Sequence, residues 1–132
     1  MKKVSIVIII FSFLYPGCSN DLEIKFSLAG QTFDHLFFET KQACLDAQPY
    51  PDFFLNCHQS LEFLDGREAH ITFTDIINKV SYSFHRNQIV LSPKGSTEFT
   101  NRIVFDIIDE NTLRLTTDDT IWKRRKGESI WD

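Results

Sequence analysis

Apolar and polar residues alternate at period two along most of this chain, so every second side chain lines one face of an extended strand. Leu22, Ile24, Phe26 and Leu28 alternate before an Ala29-Gly30 turn, and Ala69, Ile71 and Phe73 follow an Asp65-Gly66 turn. Val80, Tyr82 and Phe84 end at the polar His85-Arg86-Asn87, and Ile89 and Leu91 stop at Pro93-Lys94-Gly95-Ser96. Ile103, Phe105 and Ile107 come next, Asp109-Glu110-Asn111 turns the chain into Leu113 and Leu115, and Ile121 and Trp122 form a last short run. Short strands at near-regular spacing, joined by turns of hairpin length, predict an antiparallel meander. Seven to nine strands within about 115 residues should curl and close, because closure removes the unpaired edges of an open sheet. The predicted fold is therefore mainly β, a small closed barrel.

Only one stretch reads as helical. Residues 41–48, with Thr40 as a capping residue and Pro49 as a stop, predict about two turns that bury Ala43, Cys44 and Ala47. Four apolar pairs break the alternation: Phe37-Phe38, Phe53-Phe54, Ile76-Ile77 and Ile107-Ile108. Each puts an apolar residue on the nominal outer face, where it packs under the helix, marks a bulge or forms a patch for a partner. Packing is the expectation carried forward.

The first residues are set apart from the fold. Met1-Lys2-Lys3 gives a positive start, and Val4 to Leu14, 11 residues, is apolar apart from Ser5 and Ser12, against roughly 20 for a membrane-spanning helix. Residues 1–17 thus read as an export signal. The stretch Leu14-Tyr15-Pro16-Gly17-Cys18 resembles the lipobox of bacterial lipoproteins, with Gly17 and Cys18 in its last two positions and the leucine one position early. The resemblance implies cleavage before Cys18, acylation of Cys18, and residues 18–24 as a lipidated tether to a single domain over residues 25–132. Localisation is then the cell envelope, on the periplasmic side or at the outer membrane. Ordinary secretory cleavage after Ser19 is the competing reading, and it would release a soluble protein beginning at Asn20.

An exported chain with three cysteines has one too many for simple pairing. With Cys18 acylated, Cys44 and Cys57 remain as a disulfide around a loop that holds Pro49-Tyr50-Pro51-Asp52. On the chain-entropy account, closing a loop of that size stabilises a fold by about 3 kcal/mol.

The chain has 14 basic and 18 acidic residues; without Lys2 and Lys3 the balance falls from −4 to −6. Such acidity argues against nucleic acid, which needs a basic face. The one basic cluster, Lys123-Arg124-Arg125-Lys126, reads as a solvated end. No phosphate loop, zinc motif or nucleophile elbow is present, so no catalytic residue, metal ligand or cofactor is assigned. His58, His70 and Cys57 lack the i, i+2 or i, i+4 spacing of a ligand pair, and His35, His58, His70 and His85 are expected in solvent. The pairs Asp109-Glu110 and Asp118-Asp119 belong to turns for backbone reasons.

From about residue 60 the order Leu61-x-Phe63, Val80-x-Tyr82-x-Phe84, Ile89-Val90-Leu91, Ile103-x-Phe105-x-Ile107, Leu113-x-Leu115 and Trp122-Lys123-Arg124 resembles the small lipocalin-like barrels of bacterial lipoproteins. That resemblance lends weight to binding a small apolar ligand among Phe26, Phe63, Phe73, Tyr82, Phe84 and Phe105. The alternative is a protein-interaction or inhibitor module that acts through its outer surface and the 44–57 loop. Neither reading is enzymatic.

Overall fold

Every strand of the domain finds two antiparallel neighbours. The computed structural model describes residues 27–52 and 54–132. The export signal, Cys18, the tether, the run from Leu22 to Phe26 and Phe53 lie outside the described residues. Eight strands run in sequence order: β1 (Thr32–Leu36), β2 (His58–Phe63), β3 (Glu68–Thr72), β4 (Ile77–His85), β5 (Gln88–Pro93), β6 (Ile103–Asp109), β7 (Thr112–Leu115) and β8 (Ile121–Arg124). Each pairs with the next, and β8 returns to β1, closing the barrel. The fold class expected from the alternation holds: a closed, mainly β meander with one short helix.

The alternation fills the interior. Phe33, Leu61, Phe63, Ile71, Ile89, Leu91, Phe105, Leu113 and Trp122 are fully buried, as a barrel of eight strands requires of its inward positions. Leu28 is buried as well, but Ser27 and Leu28 are not in a strand, so a strand reaching Leu28 is not borne out. Instead the Gly30 amide donates to the Phe63 carbonyl at 2.8 Å, which seats this entering segment across one end of the core. The first strand is Thr32–Leu36, which the alternation does not mark. Its inward residues are Phe33 and the imidazole of His35, and its outward residues are Asp34 and Leu36.

Helix α1 spans Lys41–Asp46, and the Thr40 hydroxyl accepts from the Ala43 amide at 3.1 Å as expected of a cap. Its buried face is narrower than expected. Only Cys44 is covered, while Ala43 and Ala47 are exposed, because the helix hangs on the disulfide at the barrel's end rather than lying along the sheet. Among the described residues no helix is long and apolar enough to cross a membrane.

Antiparallel order sorts the connections into two ends. At one end, here the turn end, residues 64–67, 86–87 and 110–111 make tight connections and the chain enters through residues 27–31. Gly66 and Arg67 both take positive φ there, 69° and 62°, and form the tight turn that Asp65-Gly66 predicts. At the other, the loop end, residues 37–57, 73–76, 94–102 and 116–120 connect the strands.

The seam between β1 and β8 has two paired positions, against six between β4 and β5. A clamp reinforces it. Arg125 donates from Nε and Nη2 to both carboxylate oxygens of Asp34, at 2.8 and 2.7 Å, and its amide donates to the Thr32 carbonyl. Asp34 is 5% exposed and covered from outside, beside a small groove bounded by Leu36, Ile130 and Trp131. The basic cluster is thus not wholly a solvated end: Arg125 is a structural cation, and its paired guanidinium is held above the usual arginine pKa by the Asp34 hydrogen bonds.

Candidate functional site

The rings assigned to a ligand in the sequence divide into two groups inside the barrel. Toward the turn end, Phe33 meets Phe63, Phe63 meets Tyr82 and Tyr82 meets Phe84, all edge to face, with the closest centroids 4.9 Å apart. Toward the loop end, Phe105 meets Trp122, Trp122 meets Phe73 and Phe73 meets Phe99 in the same geometry. The structure brings Phe63, Tyr82 and Phe84 together, places Phe73 and Phe105 in the other group, and joins the two sets by no direct ring contact among those described. Phe84 reaches the rim and is partly exposed. Edge-to-face pairs are favourable geometries for the rings themselves, and the rings pack with Leu61, Ile71, Ile89, Leu91 and Leu113 in one core. Phe26 lies outside the described residues.

The loop end has features that the turn end lacks. Of the exposed large apolar side chains, Phe37, Leu45, Tyr50, Phe54, Leu55, Ile76, Ile77 and Ile121 sit there, whereas Phe84 and Ile108 sit at the turn end. Phe54 is 82% exposed, Tyr50 71% and Ile77 63%. Three of the four alternation-breaking pairs therefore place a large apolar residue in solvent at this end, so Phe37, Phe54, Ile76 and Ile77 are not packed as expected. The fourth, Ile107-Ile108, coincides with a register shift in β6, and the bulge turns Ile108 outward.

The β1–β2 connection that carries Tyr50 and Phe54 is braced. Cys44 and Cys57, both buried, are joined across Cα atoms 5.9 Å apart, as the cysteine count predicts. Gln48 adds a second brace: its amide nitrogen donates to the Cys44 carbonyl at 2.9 Å and the Leu55 carbonyl at 3.3 Å, and its oxygen accepts from the Leu55 amide. Asn56 donates onward to the Thr74 carbonyl, tying this connection to the β3–β4 turn.

A second strut crosses from the β5–β6 connection. The buried Asn78 donates to a Glu98 carboxylate oxygen at 2.8 Å and accepts from the Glu98 amide at 2.7 Å; Thr74 donates to the other Glu98 oxygen at 2.9 Å. Phe99, the next residue, lies on Phe73. No sequence signal marks Asn78 beyond its being a polar residue at an inward position of β4, and nothing marks Gln48.

On the outer face of β2 and β3, beside the β1–β2 and β3–β4 connections, lies an open cleft of about 470 Å³, lined by Phe54, Asn56, His58, Thr72, Thr74 and Asp75. His58 is half-buried rather than solvated, and desolvation holds its pKa below the usual histidine range, although Asp34 acts in the opposite direction. His70 faces outward as expected, half-buried and 3.8 Å from Glu62, and His85 is exposed. His35 turns inward instead: its Nδ1–H donates to the Ile121 carbonyl, 2.9 Å away, and its ring stacks on Trp122. The sulfur of Cys57 is taken by Cys44, which removes it from any ligand set with His58 and His70. Asp109 and Asp118 accept from the amides of Asn111 and Thr120, the turn role expected of them.

Charge differs between the ends too. The β1–β2 connection carries Glu39, Asp46 and Asp52 against Lys41; Asp75, Asp118 and Asp119 add to it; Lys94 and Arg102 outweigh Glu98 by one. The loop-end connections thus sum to −4, while those of the turn end, with residues 125–132, sum to zero. Among the described residues no ion pair engages Asp46, Asp52 or Asp75.

Comparison of the chain with family models, with curated proteins and with solved structures finds no match.

Proposed function

We propose that the protein is an exported, lipid-anchored component of the cell envelope that acts without catalysis, by binding a partner protein through its loop end. The observation that carries this reading is the pair of aromatic side chains, Tyr50 and Phe54, held in solvent on a doubly braced loop. Exposed apolar area is unfavourable by roughly 25 cal/mol per Å², and contiguous apolar surface on a small domain marks contact sites. Tyr and other aromatics are the side chains that most often dominate interfaces. Bracing lowers the entropy that such a loop loses on binding.

The anchor agrees with this orientation. Acylation at Cys18 would leave nine residues to Ser27, a reach of about 30 Å when extended. The chain then enters β1 at the turn end. A domain tethered by that end presents its loops away from the membrane. The other reading, a small apolar ligand within the barrel, draws on the same rings that interlock as two edge-to-face groups, and is for that reason the less favoured.

Two measurements test the proposal. An intact mass of the protein from its native membrane fraction should correspond to residues 18–132 with acyl chains; a soluble product beginning at Asn20 removes the anchor. Affinity capture with the full-length protein should yield a partner whose recovery is lost in a Tyr50→Ser, Phe54→Ser double variant and kept in an Ile108→Ser variant. Equal recovery with both variants removes the loop end as the binding surface.

A further inference from the structure

The cleft beside Phe54 combines an apolar wall, a polar floor and an unpaired carboxylate. Phe54 gives the wall, Thr72 and Thr74 the floor, and Asp75 the charge. Asn56 lines it too, with its amide nitrogen committed to the Thr74 carbonyl. His58 is half-buried there, and burial disfavours the charged form of its imidazole. The nearest connections add Asp46 and Asp52, both outside any described ion pair.

We propose that this cleft receives a cationic, apolar-bearing stretch of a partner polypeptide, with an apolar side chain against Phe54 and a lysine or arginine directed at Asp75. The inference rests on the interaction reading above and adds the partner's chemistry. Three properties of the surface select it. A net charge of −4 on the loop-end connections draws basic segments and repels acidic ones, including an anionic lipid surface. An exposed ring beside a carboxylate suits a basic side chain twice over, by ion pairing and by cation–π contact. The Thr72 hydroxyl, outside any described hydrogen bond, can pair with the main chain of an extended segment, whereas that of Thr74 is taken by Glu98 and the Ile76 amide. A purely apolar ligand would cover Asp75 and the Thr72 hydroxyl without pairing them, which is unfavourable.

The test uses the detergent-solubilised full-length protein with its disulfide intact and three sets of short fluorescent peptides. One set mixes lysine or arginine with phenylalanine and leucine, one replaces the basic residues by glutamate, and one replaces the apolar residues by serine. The first set should bind, and the other two at least about tenfold more weakly. Phe54→Ser should weaken the binding by about tenfold or more. Asp75→Asn should weaken it several-fold at low salt and hardly at all near about 0.5 M, where exposed charges are screened. Ile108→Ser, at the other end, should leave it unchanged. Equal binding of the basic and acidic sets, or full binding by both cleft variants, overturns the proposal. So does uptake through Phe54 by zwitterionic vesicles with no peptide selectivity, which would make the cleft a membrane contact. Capture of a partner through the loop end without selectivity for the basic peptides would keep the interaction reading and remove this one.

Discussion

The two ends of the barrel are built from the same strands and differ in nearly everything else. At the turn end, residues 86–87 and 110–111 join strands in two steps, Gly30 bonds to Phe63, and the connection charges cancel. At the loop end the connections are longer, cross-braced by Gln48 and by the Asn78–Glu98 pair, acidic in sum, and crowned by exposed apolar side chains. The difference teaches where the fold is finished and where it is offered outward. A connection that served closure alone would be short; polar bracing that holds Phe54 in solvent stabilises a surface rather than a core.

The comparison can be broken first in the core that both ends share. Trp122→Ala should cost about 3–5 kcal/mol, because the indole is fully buried against Phe105 and Phe73. The denaturation midpoint measures this, and a loss near zero would mean that the interior is not packed as described. Reducing the Cys44–Cys57 bond, or replacing it by Cys44→Ser with Cys57→Ser, should cost up to about 3 kcal/mol. Hydrogen exchange should then rise in residues 41–57 before it rises in the turn-end hairpins, since the bond lies wholly within the loop end. Uniform loosening of both ends would erase the distinction drawn between them.

Arg125→Ala is expected to cost about 2 kcal/mol, because it leaves the buried Asp34 carboxylate without its two charged donors. Asp34→Asn with Arg125→Ala together should recover part of that loss, which a merely solvated Arg125 would not produce.

The smallest effect comes from His58. Its folded pKa is depressed, so the unfolded chain binds the extra proton first as pH falls through about 6.5. Stability should therefore decline on acidification from that value and level off below the folded pKa. A His58→Gln variant should show less of this decline in thermal melts between about pH 7 and 5. An identical pH profile for the variant would show that burial of the imidazole carries no linkage.

Much of the barrel is legible in the sequence because closure writes a regular code: one residue in, the next out, with Gly or Asn-type residues between. β3 to β8 follow it, and Trp122 marks the last strand. Strand β1 escapes it. In Thr32–Leu36 the inward His35 and the outward Leu36 invert the expected pattern, since His35 has Trp122 to stack on and Leu36 shares a groove with Ile130 and Trp131. Both partners are about 90 residues away, and a local pattern does not report such a distance. Arg125 is hidden for the same reason; its meaning depends on Asp34. The cysteine pair is legible, because counting and the short spacing suffice. The site is half legible. The broken alternation at Phe37, Phe54, Ile76 and Ile77 does point to apolar side chains without a place in the core. Their gathering at one end depends on strand direction, which only the closed topology supplies.

The central claim is that the loop end binds and the turn end does not, and site-specific photo-crosslinking in living cells tests it most directly. A photoreactive residue placed at Phe54 should give a discrete crosslinked species on denaturing gels, and the same residue at Ile108 should give none. Crosslinks of equal strength from Ile108, or none from Phe54 while the protein is folded and anchored, would contradict the account.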